Sequence, residues 1–159
     1  LMSTKKIASL CVIKNKSKFL LLKRINEPNI GKYVPVGGKL KDHETPKKAA
    51  KREIFEETGL KFNKLEFCGV LTETSPTNYN WISYIYLVET DIVDIPKSNE
   101  GKLEWLDFQE IKNIPTPKTD DIIYKYIIDK KKFIISIEYN NKIQIISMKE
   151  EIENKNLLN

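Results

Sequence analysis

The sequence predicts an α/β fold in which two helices cover opposite faces of a mixed β-sheet. Three observations predict it. Residues 46–58 form a helix bounded by strong stop signals, and a second helix follows Thr119. Around them lie short runs rich in β-branched and aromatic residues, each of strand length. The chain of 159 residues is read as one domain. Its core is expected over about 7–130, followed by a hairpin within 131–150 and a fraying tail over 151–159.

Taken in order, Ile7–Ile13 and Phe19–Lys23 flank Asn15-Lys16-Ser17-Lys18 and read as consecutive strands or a hairpin. Arg24 follows, then a loop over 25–33 containing Pro28 and Gly31, then a short strand at Val34–Val36. Thr45 is a good N-cap, Pro46 suits the first helical position, and Gly59 supplies a left-handed stop. Leu65–Glu73 and Trp81–Glu89 carry apolar residues on both faces, as strands in a covered sheet do. Lys102–Leu106 reads as a further strand and Phe108–Ile114 as a helical turn stopped by Pro115 and Pro117. Thr119 is expected to cap the second helix, with Asp120 and Asp121 favourable in its first turn and an apolar stripe of Ile122, Ile123, Tyr126 and Ile127. Phe133–Tyr139 and Lys142–Met148 around Asn140-Asn141 read as a hairpin that either extends the sheet or forms a dimer surface. Monomer and homodimer therefore both stay open.

Apolar residues make up 40% of the chain and charged residues 31%, the profile of a globular protein. The formal charge of +5 favours anionic partners, and nucleotides satisfy it as well as nucleic acid does. Lysines are interspersed with acids rather than gathered in an arm, so no nucleic-acid partner is expected. Cys11 and Cys68 sit in apolar runs without metal-ligand neighbours and read as buried reduced thiols. His43, the single histidine, lies in the loop before the first helix, which argues against histidine catalysis or a zinc site. Ile7–Ile13 is too short for a membrane span and lacks a signal-peptide cleavage site, so a cytoplasmic protein with no membrane partner is expected.

The informative stretch is Gly37–Leu60. At 100° per residue, Glu53, Glu56 and Glu57 fall within an arc of about 100°. Like charges at these spacings repel by roughly 0.2–0.5 kcal/mol per pair. Glu56 and Glu57 also sit at the negative end of the helix dipole. Helix stability alone does not explain them, whereas a hard divalent cation such as Mg²⁺, with its preference for carboxylate oxygens and phosphates, does. Gly37 and Gly38 allow backbone to approach a metal or phosphate closely. Glu44 and Arg52 read as an ion pair that fixes this glycine loop against the helix.

The spacing is Gly38, five residues, Glu44, seven residues, Arg52-Glu53-Ile54, one residue, Glu56-Glu57, one residue, Gly59-Leu60. It resembles the signature of the Nudix hydrolases at every defined position. That resemblance implies an α/β/α sandwich and metal-dependent hydrolysis of a nucleoside diphosphate linked to another group. It implies Mg²⁺, with Mn²⁺ as a substitute, held by Glu53, Glu56, Glu57 and the Gly37 carbonyl. A further carboxylate near a strand end, acting as base or ligand, is expected at Glu100, with Glu104 as the alternative. Arg24 lies where relatives approach the nucleotide, although a solvated strand-end cation reads equally well. Lys39 and Gly38 are candidates for phosphate contact, and Tyr33 and Thr119 for the base. A nucleotide-sensing module that had lost turnover would lack one of these acids, and all are present.

For the substrate, Gly31–Leu40 is most similar to the MutT-type members that clear oxidised nucleotides. The expected reaction is cleavage of an 8-oxo-dGTP-like triphosphate to monophosphate and pyrophosphate. Members acting on ADP-ribose carry a proline some fifteen residues beyond the motif, and Pro76 lies sixteen past Leu60, which keeps ADP-ribose as the alternative.

Overall fold

The computed structural model describes residues 4–158. In chain order the elements are β1 (Lys6–Asn15), β2 (Lys18–Arg24), β3 (Tyr33–Val34), β4 (Val36–Lys39), α1 (Pro46–Thr58), β5 (Glu66–Thr74) and β6 (Trp81–Glu89). There follow β7 (Gly101–Asp107), α2 (Phe108–Ile111), α3 (Lys118–Ile128), β8 (Phe133–Tyr139), β9 (Ile145–Glu150) and β10 (Lys155–Asn156). The strands form a mixed sheet in the order β10-β9-β8-β5-β6-β1-β2-β3, with β4 also paired to β1 and β7 to β2.

Strand β1 is the spine. Its first half pairs antiparallel with β4, its last residues with β2, and its full length runs parallel to β6. Alternation along it separates two cores. Cys11 and Ile13 face Ala50 and Ile54 of α1, while Val12 faces Ile123 and Ile127 of α3. The two helices therefore cover opposite faces, as the sequence predicts.

Local signals placed α1. The Thr45 hydroxyl accepts from Lys48 N–H, Pro46 opens the helix, and Gly59 closes it at φ 74°. The start of α3 differs from expectation. Pro117, not Thr119, is its N-cap, and Thr119 lies within the first turn. The Pro117 carbonyl accepts from the N–H groups of Asp120 and Asp121, so no side-chain cap is required. Gly37 and Gly38 are also not in a loop. They are strand residues of β4, opposite Leu10 and Ser9.

The C-terminal hairpin extends the sheet, since β8 runs parallel to β5 from Gly69↔Phe133 to Thr74↔Glu138. Phe133, Ile135 and Ile137 are each 1% exposed and belong to the α3-side core, which therefore does not end near residue 130. The return strand begins at Ile145 rather than Lys142. Asn140 Oδ1 accepts from both Lys142 and Gln144 N–H groups and holds those residues in the turn. The expected fraying over 151–159 gives way to β10, where Lys155 and Asn156 pair with β9, and Glu150 accepts from the N–H groups of Ile152 and Glu153. Both cysteines are free and buried, and burial pushes the Cys68 thiol up to about 11. No helix among the described residues is long and apolar enough to cross a membrane.

Candidate active site

Helix α1 and strand β4 meet more closely than side chains would allow. A Cβ on Gly38 would stand 2.5 Å from the Glu53 carboxylate, and one on Gly37 would collide with the Ser9 carbonyl. Glycine at these positions lets the acids of α1 lie directly on backbone. The Gly37 N–H donates to Glu57 Oε2 at 2.9 Å.

The three helix acids are not equivalent. Glu57 is 5% exposed, whereas the Glu56 side chain is half exposed. Burial, followed by a hydrogen bond with and the charge of Glu100, pushes the Glu57 carboxyl up to about 9, against the lowering effect of the Gly37 N–H. Burial likewise raises Glu53. Glu100, expected as an extra acid from a strand end, is therefore brought to Glu57. Its position follows from β7, whose Gly101 pairs with Arg24, and from the Ile25 N–H donating to the Glu100 carbonyl.

Glu104, the alternative, is turned to other work. It accepts from Tyr33 O–H at 2.6 Å and pairs with Lys102 at 3.0 Å, which lowers its pKa. The same hydrogen bond raises the Tyr33 hydroxyl to about 12.

Arg52 binds the acids together. Its guanidinium pairs with Glu44 at 2.7 Å, Glu53 at 2.8 Å and Glu56 at 3.1 Å, and donates to the Lys39 carbonyl at 3.0 Å. Its hydrogen bond holds Glu44 down at about 2. The expected ion pair is present, and it ties α1 to β4 and to the loop between them. The Lys39 ammonium lies over the Trp81 ring at 5.9 Å. Arg24 donates to the Pro28 carbonyl at 2.7 Å and stands 3.9 Å from Glu100, so it shapes the 26–31 loop and contacts the acidic cluster's rim.

Among the described residues no three acids already converge as a metal cage. Glu53 and Glu56 turn toward Arg52 while Glu57 leans on Glu100. The donor set is nonetheless all oxygen, crowded, and charged enough to retain a proton on Glu57. Such a set fits a hard divalent cation, which Glu53, Glu56 and Glu57 would hold with Glu57 ionised.

A second polar group lies on the opposite, α3-side face. Glu73, 7% exposed, accepts at Oε2 from Tyr79 O–H at 3.1 Å and from Tyr139 O–H. Asp120 is 6% exposed, and burial followed by the nearby charge of Glu73 raises its carboxyl to about 8. Among the described residues, the buried hydroxyls of Thr116 and Tyr124 find no hydrogen-bond partner. Thr119 meets this cluster through a hydrogen bond to Asp120. Sequence reasoning misses Glu73 and Tyr139, and reads Asp120 as a first-turn acid of the second helix and, within the Thr116–Asp120 segment, as a candidate for the base. The available signal was an acid at the end of a strand read as covered on both faces.

The NUDIX domain family matches residues 4–129. The Nudix hydrolase YvcI of Bacillus subtilis is 28% identical over 123 residues, 74% of this chain and 76% of its own. An oxidized purine nucleoside triphosphate hydrolase of Danio rerio is 24% identical over 165 residues, 96% of this chain and 99% of its own. The solved structure of the mutator MutT protein from Bacillus halodurans superposes with a TM-score of 0.78 at 22% identity, covering 92% of this chain and 98% of that one.

Proposed function

The chain belongs to the NUDIX domain family and is a Nudix hydrolase, and from that premise we propose that it hydrolyses an oxidised purine nucleoside triphosphate, 8-oxo-dGTP being the leading case, to the monophosphate and pyrophosphate. Nudix hydrolases work on nucleotides with divalent ions. Here the ion is proposed to be Mg²⁺, replaceable by Mn²⁺, held by Glu53, Glu56, Glu57 and the Gly37 carbonyl. When bound it neutralises phosphate charge and acidifies an attacking water. Arg52 aims Glu53 and Glu56 and balances their charge before the ion arrives. Glu100, hydrogen-bonded to Glu57, is proposed as the group that accepts a proton from water. Lys39 supplies a mobile cation at the mouth, suited to a phosphate oxygen.

The observation that carries the substrate reading is the Glu73–Asp120 cluster. A buried carboxyl that keeps its proton near neutral pH donates a hydrogen bond, and the neighbouring Glu73 Oε2 is an acceptor, already taking the hydroxyls of Tyr79 and Tyr139. Oxidation at C8 exchanges an acceptor for a donor and adds a carbonyl, so an edge of mixed donors and acceptors discriminates well. Mismatched partners would be left unpaired in a buried site. The likeness to the Danio rerio hydrolase supports this reading because it spans the whole domain, C-terminal hairpin included.

The test is kcat/KM for 8-oxo-dGTP, dGTP, dCTP and ADP-ribose, measured side by side with and without chelator. 8-oxo-dGTP should lead, and activity should vanish in chelator. A tenfold lead for ADP-ribose would overturn the substrate and make Pro76, exposed in the loop after β5, the better guide.

A further inference from the structure

The end of the sheet remote from α1 carries a cleft of about 450 Å³ lined by Lys14, Lys16, Lys130, Lys131 and Lys132. That volume is within the range of small-molecule sites, roughly 300–1,000 Å³. It is not the catalytic site. Along β1, Ser9 pairs with Gly38 whereas Lys14 pairs with Glu89, five residues or roughly 16 Å further on.

The lysines outnumber the two lining carboxylates, Glu66 and Glu89. Lys14 takes Glu89 at 3.2 Å, Lys132 takes Glu66 at 3.0 Å, and Lys131 takes Glu153 at 3.7 Å. Lys16 and Lys130 pair with no carboxylate among the described residues. Both line the cleft and stand in left-handed turns, Lys16 between β1 and β2 at φ 53° and Lys130 just after α3 at φ 56°. Glycine is the usual occupant of that conformation, and a lysine there is held at some backbone cost.

Between the walls the floor is apolar and aromatic, with Leu87, Ile127, Phe108 and Tyr126. The two rings are half-buried, Phe108 against Phe19 at 4.5 Å and Tyr126 against Phe133 at 5.6 Å. Lysines after a helix C-terminus commonly offset its dipole, which accounts for Lys130–Lys132. It does not account for Lys14 and Lys16, which come from a different hairpin and face the same space.

We propose that this cleft is a second, non-catalytic binding site for a nucleoside di- or triphosphate. The polyphosphate lies between Lys16 and Lys130, and the nucleoside covers the aromatic floor. The site rests on the fold alone and stands whatever the hydrolysed substrate.

The experiment is calorimetric titration of the full chain with ADP in chelator, repeated for Lys16→Gly combined with Lys130→Gly. Glycine fits both backbone positions, so this variant should match or exceed the wild-type melting temperature. It should bind ADP at least tenfold more weakly, with a shallower dependence on salt and an unchanged kcat/KM for the hydrolysed substrate. Equal ADP affinity in wild type and variant would overturn the site. Inorganic phosphate binding as tightly as ADP would overturn the nucleoside assignment. A single-stranded oligonucleotide binding more tightly than ADP would replace the small ligand with a polynucleotide.

Discussion

Glu57 and Glu73 are both buried carboxyls, 5% and 7% exposed, yet their surroundings differ in kind. Glu73 is met by fixed donors, the hydroxyls of Tyr79 and Tyr139, delivered by a loop and by a neighbouring strand. Glu57 has one backbone N–H and is otherwise faced by other acids, Glu100 and Glu53. The first arrangement satisfies a buried carboxyl within the fold, and the second leaves a carboxyl to be completed from outside. A protein spends stability in this way where an exchangeable cation has to enter, and keeps the settled form where a fixed hydrogen-bonding edge is wanted.

The largest effect should come from Glu57→Gln. On the proposed role of Glu57 as a metal ligand, its loss should lower kcat/KM by at least about 100-fold, since a catalytic metal contributes several kcal/mol of charge stabilisation. The melting temperature should stay level or rise, because folded Glu57 holds a proton that the unfolded chain has released at neutral pH, and Gln needs none. Normal turnover in this variant would erase the contrast with Glu73.

Arg52→Ala should act in two directions at once. Affinity for Mg²⁺, read by titration calorimetry, should fall about 10–100-fold as Glu53 and Glu56 lose their anchor. The fold should also weaken by more than the roughly 0.5 kcal/mol typical of a surface change, because Glu44 and the Lys39 carbonyl lose their shared donor. Wild-type Mg²⁺ affinity would show that Arg52 merely caps the surface.

A smaller effect sharpens the other side of the comparison. Asp120 titrates at about 8 in the folded protein against 3.8 for an ordinary aspartate. Between those values the unfolded chain has released the proton that the folded chain retains. Its contribution to stability is therefore complete below about pH 4 and is lost as pH rises toward 8. Asp120→Asn should flatten that decline, visible as urea midpoints at pH 5 and pH 7.5 that lie closer together than in wild type. An unaltered spacing would mean that Asp120 is not held protonated.

What was legible in the sequence depended on how local the determining contact is. The caps of α1 and its acidic face are written within fifteen residues, Thr45 to Gly59, and the structure reproduces them. Glu100 was legible as a strand-end acid, although only the β2–β7 register brings it to Glu57. Thr119 misled because a threonine before two aspartates looks like a cap. The chain direction set by Pro115 and Pro117 starts the helix two residues sooner than a Thr119 cap would. Asp120 reads as a dipole partner in any sequence, and its burial depends on β5 and β8 arriving from elsewhere. The tail looked too charged to order, yet Glu150 turns those charges into a capped turn.

Parallel pairing between β5 and β8 also has a consequence for how the protein is made. Phe133 presses so closely on Gly69 that a Cβ there would sit 2.5 Å from its ring. The two partners are separated by more than sixty residues of chain, so this part of the core depends on contacts of high sequence separation, which form slowly. On the ribosome, β5 and β6 emerge well before β8 exists, and the apolar flank of β5 stays uncovered until the last strands follow. Synthesis of this enzyme thus includes an interval in which the motif-bearing helix is already complete while one edge of its sheet is open, and that edge is where a chaperone or a misplaced strand would first take hold.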